Sequence, residues 1–227
     1  MTPQNRRDKL PEHLKESTTR EKVMKNIRHA LIEPSDNPFD GVNFSQPIFQ
    51  PLADSPDVNF VTEFTRAGGK FVFCESPDDM LDKIKQLFAE RQWNEAWCND
   101  TALTSMLRHA GISTHDDTED FQNMKVAVTG CEALVSRTGS IMVSSRQRSG
   151  RRMHIYPERH IVIAFTSQVT TDLNQAIEKV RQKYHGRLPS SVSLITGPSR
   201  TADIEKTLVT GMHGPVELFV FMADDAD

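Results

Sequence analysis

The sequence predicts an α/β protein: a layered, mostly parallel sheet with helices on both faces, preceded by an N-terminal helical and extended arm. Three observations predict it. From residue 58 to residue 227, short β-branched or aromatic runs alternate with segments of helical period. The run Ile161-Val162-Ile163-Ala164-Phe165 is apolar at every position, as a strand covered on both faces requires. Several helical segments open on a capping residue and stop at glycine.

Residues 1–57 are expected to form a unit of their own. Residues 1–16 are polar and expected to fray. Thr18 and Glu21 fit a capping box, and Val23, Ile27, Ala30 and Leu31 follow on one helical face. Pro34, Pro38, Pro47, Pro51 and Pro56 leave residues 33–57 as an extended arm, which either packs on its own domain or reaches a second copy.

The second domain, residues 58–227, starts with a short helix that Asp57 caps, running through Phe60, Val61 and Phe64 to Gly68-Gly69. Lys70–Cys74 is a strand. The glycines precede a strand rather than follow one, so they end a helix and do not form a phosphate loop. Ser76-Pro77 opens a helix with Met80, Leu81, Ile84, Leu87 and Phe88 on one face. Glu95–Cys98 is a strand, and Asp100 or Thr101 starts a helix through Leu107 that stops at Gly111. Residues 115–123 read as an acidic loop, Lys125–Thr129 as a strand, Cys131–Ser136 as one or two helical turns, and Ser140–Ser144 as a strand. Thr171 or Asp172 opens a helix carrying Leu173, Ala176, Ile177, Val180 and Tyr184. The C-terminal stretch reads as a βαβ unit. Its parts are a buried strand Ser191–Ile195, a Gly197-Pro198 turn, a helix from Ser199 or Thr201 through Ile204, Leu208 and Val209 to Gly211, and a strand Leu218–Met222.

Lys and Arg number 27 against 31 Asp and Glu in 227 residues, a net charge of −4. That balance argues against general binding to nucleic acid or anionic membrane. No apolar run approaches the roughly 20 residues of a membrane span, and the polar N-terminus is unlike a signal peptide, so the cytoplasm is the expected compartment. Cys74, Cys98 and Cys131 are too far apart for a zinc knuckle or an iron–sulfur run. They read as buried thiols, with a reactive Cys131 as the alternative.

Three constellations could carry chemistry. The helix start expected at Ser199-Arg200-Thr201 offers free N–H groups to a phosphate or carboxylate, with Arg200 as a charge partner. Asp203 and Glu205 in the same turn either offset the dipole or act as acid, base or hydroxyl binder; the plain alternative is a capped helix with Arg200 paired to Asp203. Thr138-Gly139-Ser140 is a tight turn, either ordinary or bringing its backbone close to a ligand. Arg146, Arg148, Arg151 and Arg152 place four arginines in seven residues, a positive loop that clamps an anion, docks an acidic partner or is simply solvated. Tyr156 is the one aromatic near them, which disfavours stacking on bases. His109, His115, His154 and His160 match no zinc spacing, and no metal is expected. His213 falls at the predicted helix end, where an imidazolium is favourable.

The same residues carry a resemblance. Gly197-Pro198-Ser199-Arg200-Thr201-Ala202-Asp203-Ile204-Glu205, with Gly211-Met212-His213-Gly214-Pro215, resembles the C-terminal signature of the LUD domain, the lactate-utilisation protein C (LutC/YkgG) family. Thr138-Gly139-Ser140 and His160–Ala164 fall where that family has a Thr-Gly turn and a strand, so the likeness covers about residues 126–222. Where the family commonly has Glu before the Thr-Gly step, this chain has Arg137. The resemblance implies a fold similar to the NagB/RpiA/CoA-transferase-like superfamily, which includes ribose-phosphate isomerase and formyltetrahydrofolate cyclo-ligase. It also implies an accessory role in a lactate-oxidising system that takes L-lactate towards pyruvate, with iron–sulfur clusters held by partner proteins and no cofactor in this chain. Arginine is expected at the ligand near Arg151 or Arg152, and His213 belongs to the motif.

The expected ligand set is therefore Thr138, Gly139, Arg151, Arg152, Ser199, Arg200, Thr201, Asp203, Glu205 and His213, with Gly139, Arg151 and Arg200 lining one hollow. Two functions stay open: a complex-forming component that docks iron–sulfur subunits, or a stand-alone enzyme or ligand-binding protein acting on a phosphorylated or carboxylate substrate. No catalytic motif decides between them.

Overall fold

The computed structural model describes residues 19–32, 37–43, 49–116, 123–204, 207–211 and 213–225, with the backbone alone for 201–204 and 207–210. Two compact units divide the chain, residues 1–50 and 51–227. In the first, α1 (Thr19–Ile32) carries Glu21 in its first turn and has no buried residue; Val23, Ile27 and Leu31 are exposed. Thr18 of the expected capping box lies outside the described residues, as do 1–17, 33–36, 44–48 and most of the acidic loop.

The second unit begins with α2 (Pro56–Arg66). Its N-cap is Ser55, not Asp57; Pro56 takes the first helical position, where a missing N–H costs nothing, and Asp57 stands in the first turn. Then follow β1 (Lys70–Cys74), α3 (Pro77–Glu90), β2 (Glu95–Trp97), α4 (Thr101–His109) and β3 (Ser113–His115). Ser76 Oγ accepts from the Asp79 N–H, and the Asp100 carboxylate from the N–H groups of Ala102 and Leu103, so both helices start where their side chains satisfy orphan donors. Next come β4 (Val126–Gly130), β5 (Ala133–Val135), β6 (Ser140–Ser144), β7 (Arg159–Phe165), β8 (Val169–Thr170) and α5 (Leu173–Lys183). β9 (Val192–Ile195), β10 (Arg200–Ile204), β11 (Thr207–Thr210) and β12 (Glu217–Ala223) complete the chain.

β1-β12-β7-β4-β2-β3 form a six-stranded, all-parallel sheet. On one face Met80, Ile84 and Phe88 of α3 and Leu107 of α4 pack on Val128, Ile161 and Phe221. On the other, Phe60 and Phe64 of α2 share cover with Leu134, Ile141 and Val143 from a second sheet, above Val162, Val220 and Met222. That second sheet, β8-β5-β6-β9, is mixed, and α5 closes its outer side with Ala176 and Val180 against Ala133, Val135 and Met142. The α/β class holds, with mixed strand directions and flanking helices. The cover of one face is partly β where helices alone were expected.

Four expectations are corrected. Residues 131–135 are not helical: Ala133–Val135 is β5, fully buried and paired with β6, because an apolar run this short carries no period of its own. Ser191–Ile195 is not a buried strand; β9 ends the small sheet, with Val192 and Leu194 exposed. The stretch after Gly197 is not a helix but a hairpin of β10 and β11, pairing Arg200 with Thr210 and Thr201 with Val209. Its β-branched residues (Thr201, Ile204, Thr207, Val209, Thr210) resist helix and suit strand. The C-terminal βαβ unit therefore does not exist, since β9 and β12 lie in different sheets.

Candidate functional site

The last turn of α2 gathers the first two constellations. Gly139, at φ +57° after a short 3₁₀ turn (Ser136–Thr138), packs so closely that a β-carbon would stand 2.2 Å from the Phe64 amide nitrogen. Gly197, at φ +79°, lies against Ala67, and a β-carbon would stand 2.3 Å from its carbonyl oxygen. Both sites combine a left-handed backbone with a steric ceiling, which only glycine meets. Arg200 donates to that same Ala67 carbonyl, one of the acceptors a helix C-terminus leaves without an internal partner. Ser140 Oγ donates to Thr138 Oγ1 at 2.8 Å and lies 2.7 Å from Thr196 Oγ1, so the Thr-Gly turn and the start of the signature share one hydroxyl cluster.

The two halves of the signature are stitched by backbone. The Ser199 N–H donates to the Pro215 carbonyl at 2.9 Å, and the Gly211 N–H to the Ser199 carbonyl at 3.1 Å. Beside this closure is an open hollow of about 350 Å3, lined by Ile155, Tyr156, Glu158, Gly211, His213 and Val216. His213 is thus placed at a concavity. The Thr201 and Asp203 side chains, and the whole of Glu205, lie outside the described residues.

The arginine loop divides. Arg152 starts a 3₁₀ turn (Arg152–His154) whose Met153 is buried against Trp97, Met124 and Ala127. Ile155 brings the same loop up to Gly214. Arg151 lines neither the hollow at His213 nor the one that holds Arg146 and Arg148. Arg146 and Arg148 face a second hollow, of about 250 Å3, with Gly130, Ser149, Lys183 and Tyr184.

Two buried polar groups escaped the sequence reading. Glu132 accepts from Ser144 Oγ at 2.5 Å, Tyr184 Oη at 2.6 Å and Lys183 Nζ at 2.7 Å. Burial alone would raise its pKa, but the hydrogen bonds from Lys183, Ser144 and Tyr184 outweigh it and hold the carboxyl below its ordinary range. His160 Nε2 lies 2.8 Å from Thr129 Oγ1, the His154 and His160 ring centroids are 5.6 Å apart, and His154 Nε2 lies 3.2 Å from Ser149 Oγ. Burial pushes His154 down to about 4; burial, with His154 beside it, pushes His160 down to about 3, so both rings are neutral near pH 7. Glu132 lies in a stretch whose sequence predicts helical turns, and the histidines are 6 positions apart on different elements, so no spacing rule joins them. Cys131 is buried and its pKa is pushed up to about 12 by burial, the reverse of what a nucleophilic thiolate needs.

A family model described as the LUD domain matches residues 59–222. The chain is 29% identical over 155 residues to lactate utilization protein C of Shouchella clausii, covering 64% of this chain and 68% of that one. To lactate utilization protein C of Anoxybacillus flavithermus it is 28% identical over 173 residues, covering 71% and 77%. A crystal structure of a DUF162 family protein from Deinococcus radiodurans superposes with a TM-score of 0.57 at 17% identity, covering 76% of this chain and 99% of that one, which shows a shared fold. No helix among the described residues is long and apolar enough to cross a membrane. With the matched residues running from α2 through β12, the chain belongs to the LUD domain family, among relatives named lactate utilization protein C.

Proposed function

We propose that this protein is an accessory component of a lactate-oxidising system, taking part in the conversion of L-lactate to pyruvate by docking iron–sulfur subunits. The observation that carries the reading is the closure of the signature. Its two halves, joined through Ser199, Gly211 and Pro215, form one surface that sets exposed His213 beside a hollow. The relatives' names, which speak of lactate utilization, support a place in lactate metabolism, and the widely spaced cysteines fit a subunit that leaves the clusters to its partners. The docking face lies at the ends of β7 and β12 where Glu158 and Val216 lead into them. Affinity capture of the tagged full chain from its native host tests this. Iron-bearing, absorbing partners should co-purify with the wild-type chain and be lost with His213→Ala. A chain that emerges alone under gentle lysis overturns the reading.

A second reading is favoured by one observation: the hollow holding Arg146 and Arg148 sits at the carboxyl ends of parallel strands, where α/β proteins take small ligands. On it the protein is a ligand-binding protein or enzyme of the NagB/RpiA/CoA-transferase-like superfamily, acting on a phosphorylated or carboxylate substrate. Saturable binding of such an anion to the isolated chain supports it, and its absence removes it.

A further inference from the structure

The parallel sheet reverses its order at one place. The chain steps outward from β2 to β3, re-enters at β4, and then runs the other way through β7 to β12. Leaving β2, the chain passes into α4 on one face; leaving β4, it passes into β5 and β6 on the other. Connections that part to opposite faces open a crevice beyond the carboxyl ends of the two strands. β2 and β4 share the single register pair Trp97–Ala127, and beyond it the two strands are not paired. The 250 Å3 hollow lies there: Gly130 is the last residue of β4, and Asp100 stands three places beyond Trp97. A β-carbon added at Gly130 meets no atom within 4 Å, so the strand end faces open space.

The charges around this crevice do not cancel. The Asp100 carboxylate keeps its charge but is turned to the N–H groups that open α4, whose partial positive charge it faces. Lys183 is matched by buried Glu132 at 2.7 Å. That leaves Arg146 and Arg148, and neither forms an ion pair among the described residues. Both are nevertheless positioned. The Arg146 guanidinium lies 5.0 Å from the centre of the Tyr184 ring, and Arg148 donates to Thr101 Oγ1 at 2.9 Å. Tyr184 is itself fixed by Glu132, and Ser149, 4% exposed, adds a hydroxyl to the lining. Two guanidiniums held by uncharged contacts at the mouth of a crevice suit one ligand with two negative charges.

We propose that the crevice between the ends of β2 and β4 binds a small dianion of the phosphate-monoester class, with Arg146 and Arg148 as its charge partners and Ser149 as a hydroxyl contact. The inference rests on the second reading above and gives its site and ligand class. A phosphate monoester carries close to two charges at neutral pH, whereas lactate or pyruvate carries one and would leave a guanidinium unmatched. The volume falls just under the roughly 300 Å3 at which ordinary small-molecule pockets begin, which restricts the ligand to a small one.

Thermal unfolding of the full chain against inorganic phosphate, with chloride at matched ionic strength, tests the proposal, and pyruvate forms a parallel arm. Phosphate should raise the midpoint saturably, and pyruvate at equal concentration should do less. The double variant Arg146→Gln/Arg148→Gln should still unfold in one transition with only a small change in its phosphate-free midpoint, since both side chains are exposed, and lose about tenfold or more in apparent affinity. An undiminished phosphate shift in the variant overturns the assignment to this crevice while leaving the second reading intact. Stronger protection by pyruvate overturns the dianion class. No saturable shift with either anion overturns the proposal together with the reading beneath it.

Discussion

Arg200 donates from its guanidinium to the carbonyl oxygen of Ala67, 133 positions earlier, where α2 ends. One side chain of the family signature thereby completes a helix in another part of the fold, and Gly197 lets it do so by lying flat on the same carbonyl. The signature is a structural clasp as well as a candidate docking surface.

Removing that clasp should cost stability before it costs any binding. Arg200→Ala leaves the α2 carbonyl to solvent and removes a cation from a helix C-terminus, a loss of about 0.3–1 kcal/mol at an exposed site. His213→Ala, at a rim, should leave the urea midpoint unchanged. Equal midpoints for both variants would refute the clasp.

Gly139→Ala should be among the most damaging single changes. The added carbon collides with the Phe64 backbone, and the residue must keep a left-handed φ of +57°. Overpacking and conformational strain together predict a loss of about 2–4 kcal/mol. Gly130→Ala, facing open space, is the matched control and should cost less than about 1 kcal/mol. Chemical denaturation of the two variants reads the difference.

Glu132 makes acid sensitivity predictable in sign. Its folded pKa lies below the ordinary Glu value of 4.5, so the unfolded chain takes up the proton first as pH falls. Its contribution is present above pH 4.5 and is lost as pH drops through the folded value. Glu132→Gln should be less stable at neutral pH and show a flatter decline below pH 4.5, measured by unfolding midpoints across pH.

The two histidines act in a higher window. Their folded pKa values, about 4 for His154 and about 3 for His160, lie below the ordinary 6.5, so stability is full above pH 6.5 and falls as pH decreases towards 4 and 3. His160→Gln should flatten the profile between pH 6.5 and 4. An unchanged slope would show that the ring takes up its proton alike in the folded and unfolded chain, which overturns the burial effect.

Native cysteine chemistry should be slow. Cys74, Cys98 and Cys131 are buried, and burial raises each thiol pKa, to about 11 at Cys74 and about 12 at Cys131. Iodoacetamide should leave the folded chain unmodified over a time that alkylates all three in denaturant, read by mass spectrometry.

Residue patterns alone sufficed for much of the framework. Ser76-Pro77, Asp100 and Asp172 marked three helix starts, and Gly68 and Gly111 ended two helices, because caps and glycine stops act within one turn of chain. The apolar run Ile161–Phe165 within β7 announced a sheet covered on both sides for the same local reason. Patterns failed at 131–136 and 200–210, where the winning interaction was a strand partner. Met142 accepts from the Glu132 N–H and Val209 pairs with Thr201, and a period counted within one segment contains no term for the segment opposite.

The candidate site divides along the same line. Local sequence determined which glycines bend, which helices start, and that Arg146, Arg148, Arg151 and Arg152 would concentrate positive charge. Tertiary structure alone decided that Arg200 would reach Ala67, and that Arg146 and Arg148 would line the hollow at the ends of β2 and β4. The reason is physical: side-chain chemistry is written residue by residue, but which charges face one another depends on strand order, and strand order is settled by the burial of the two packed sheets with α2, α3, α4 and α5.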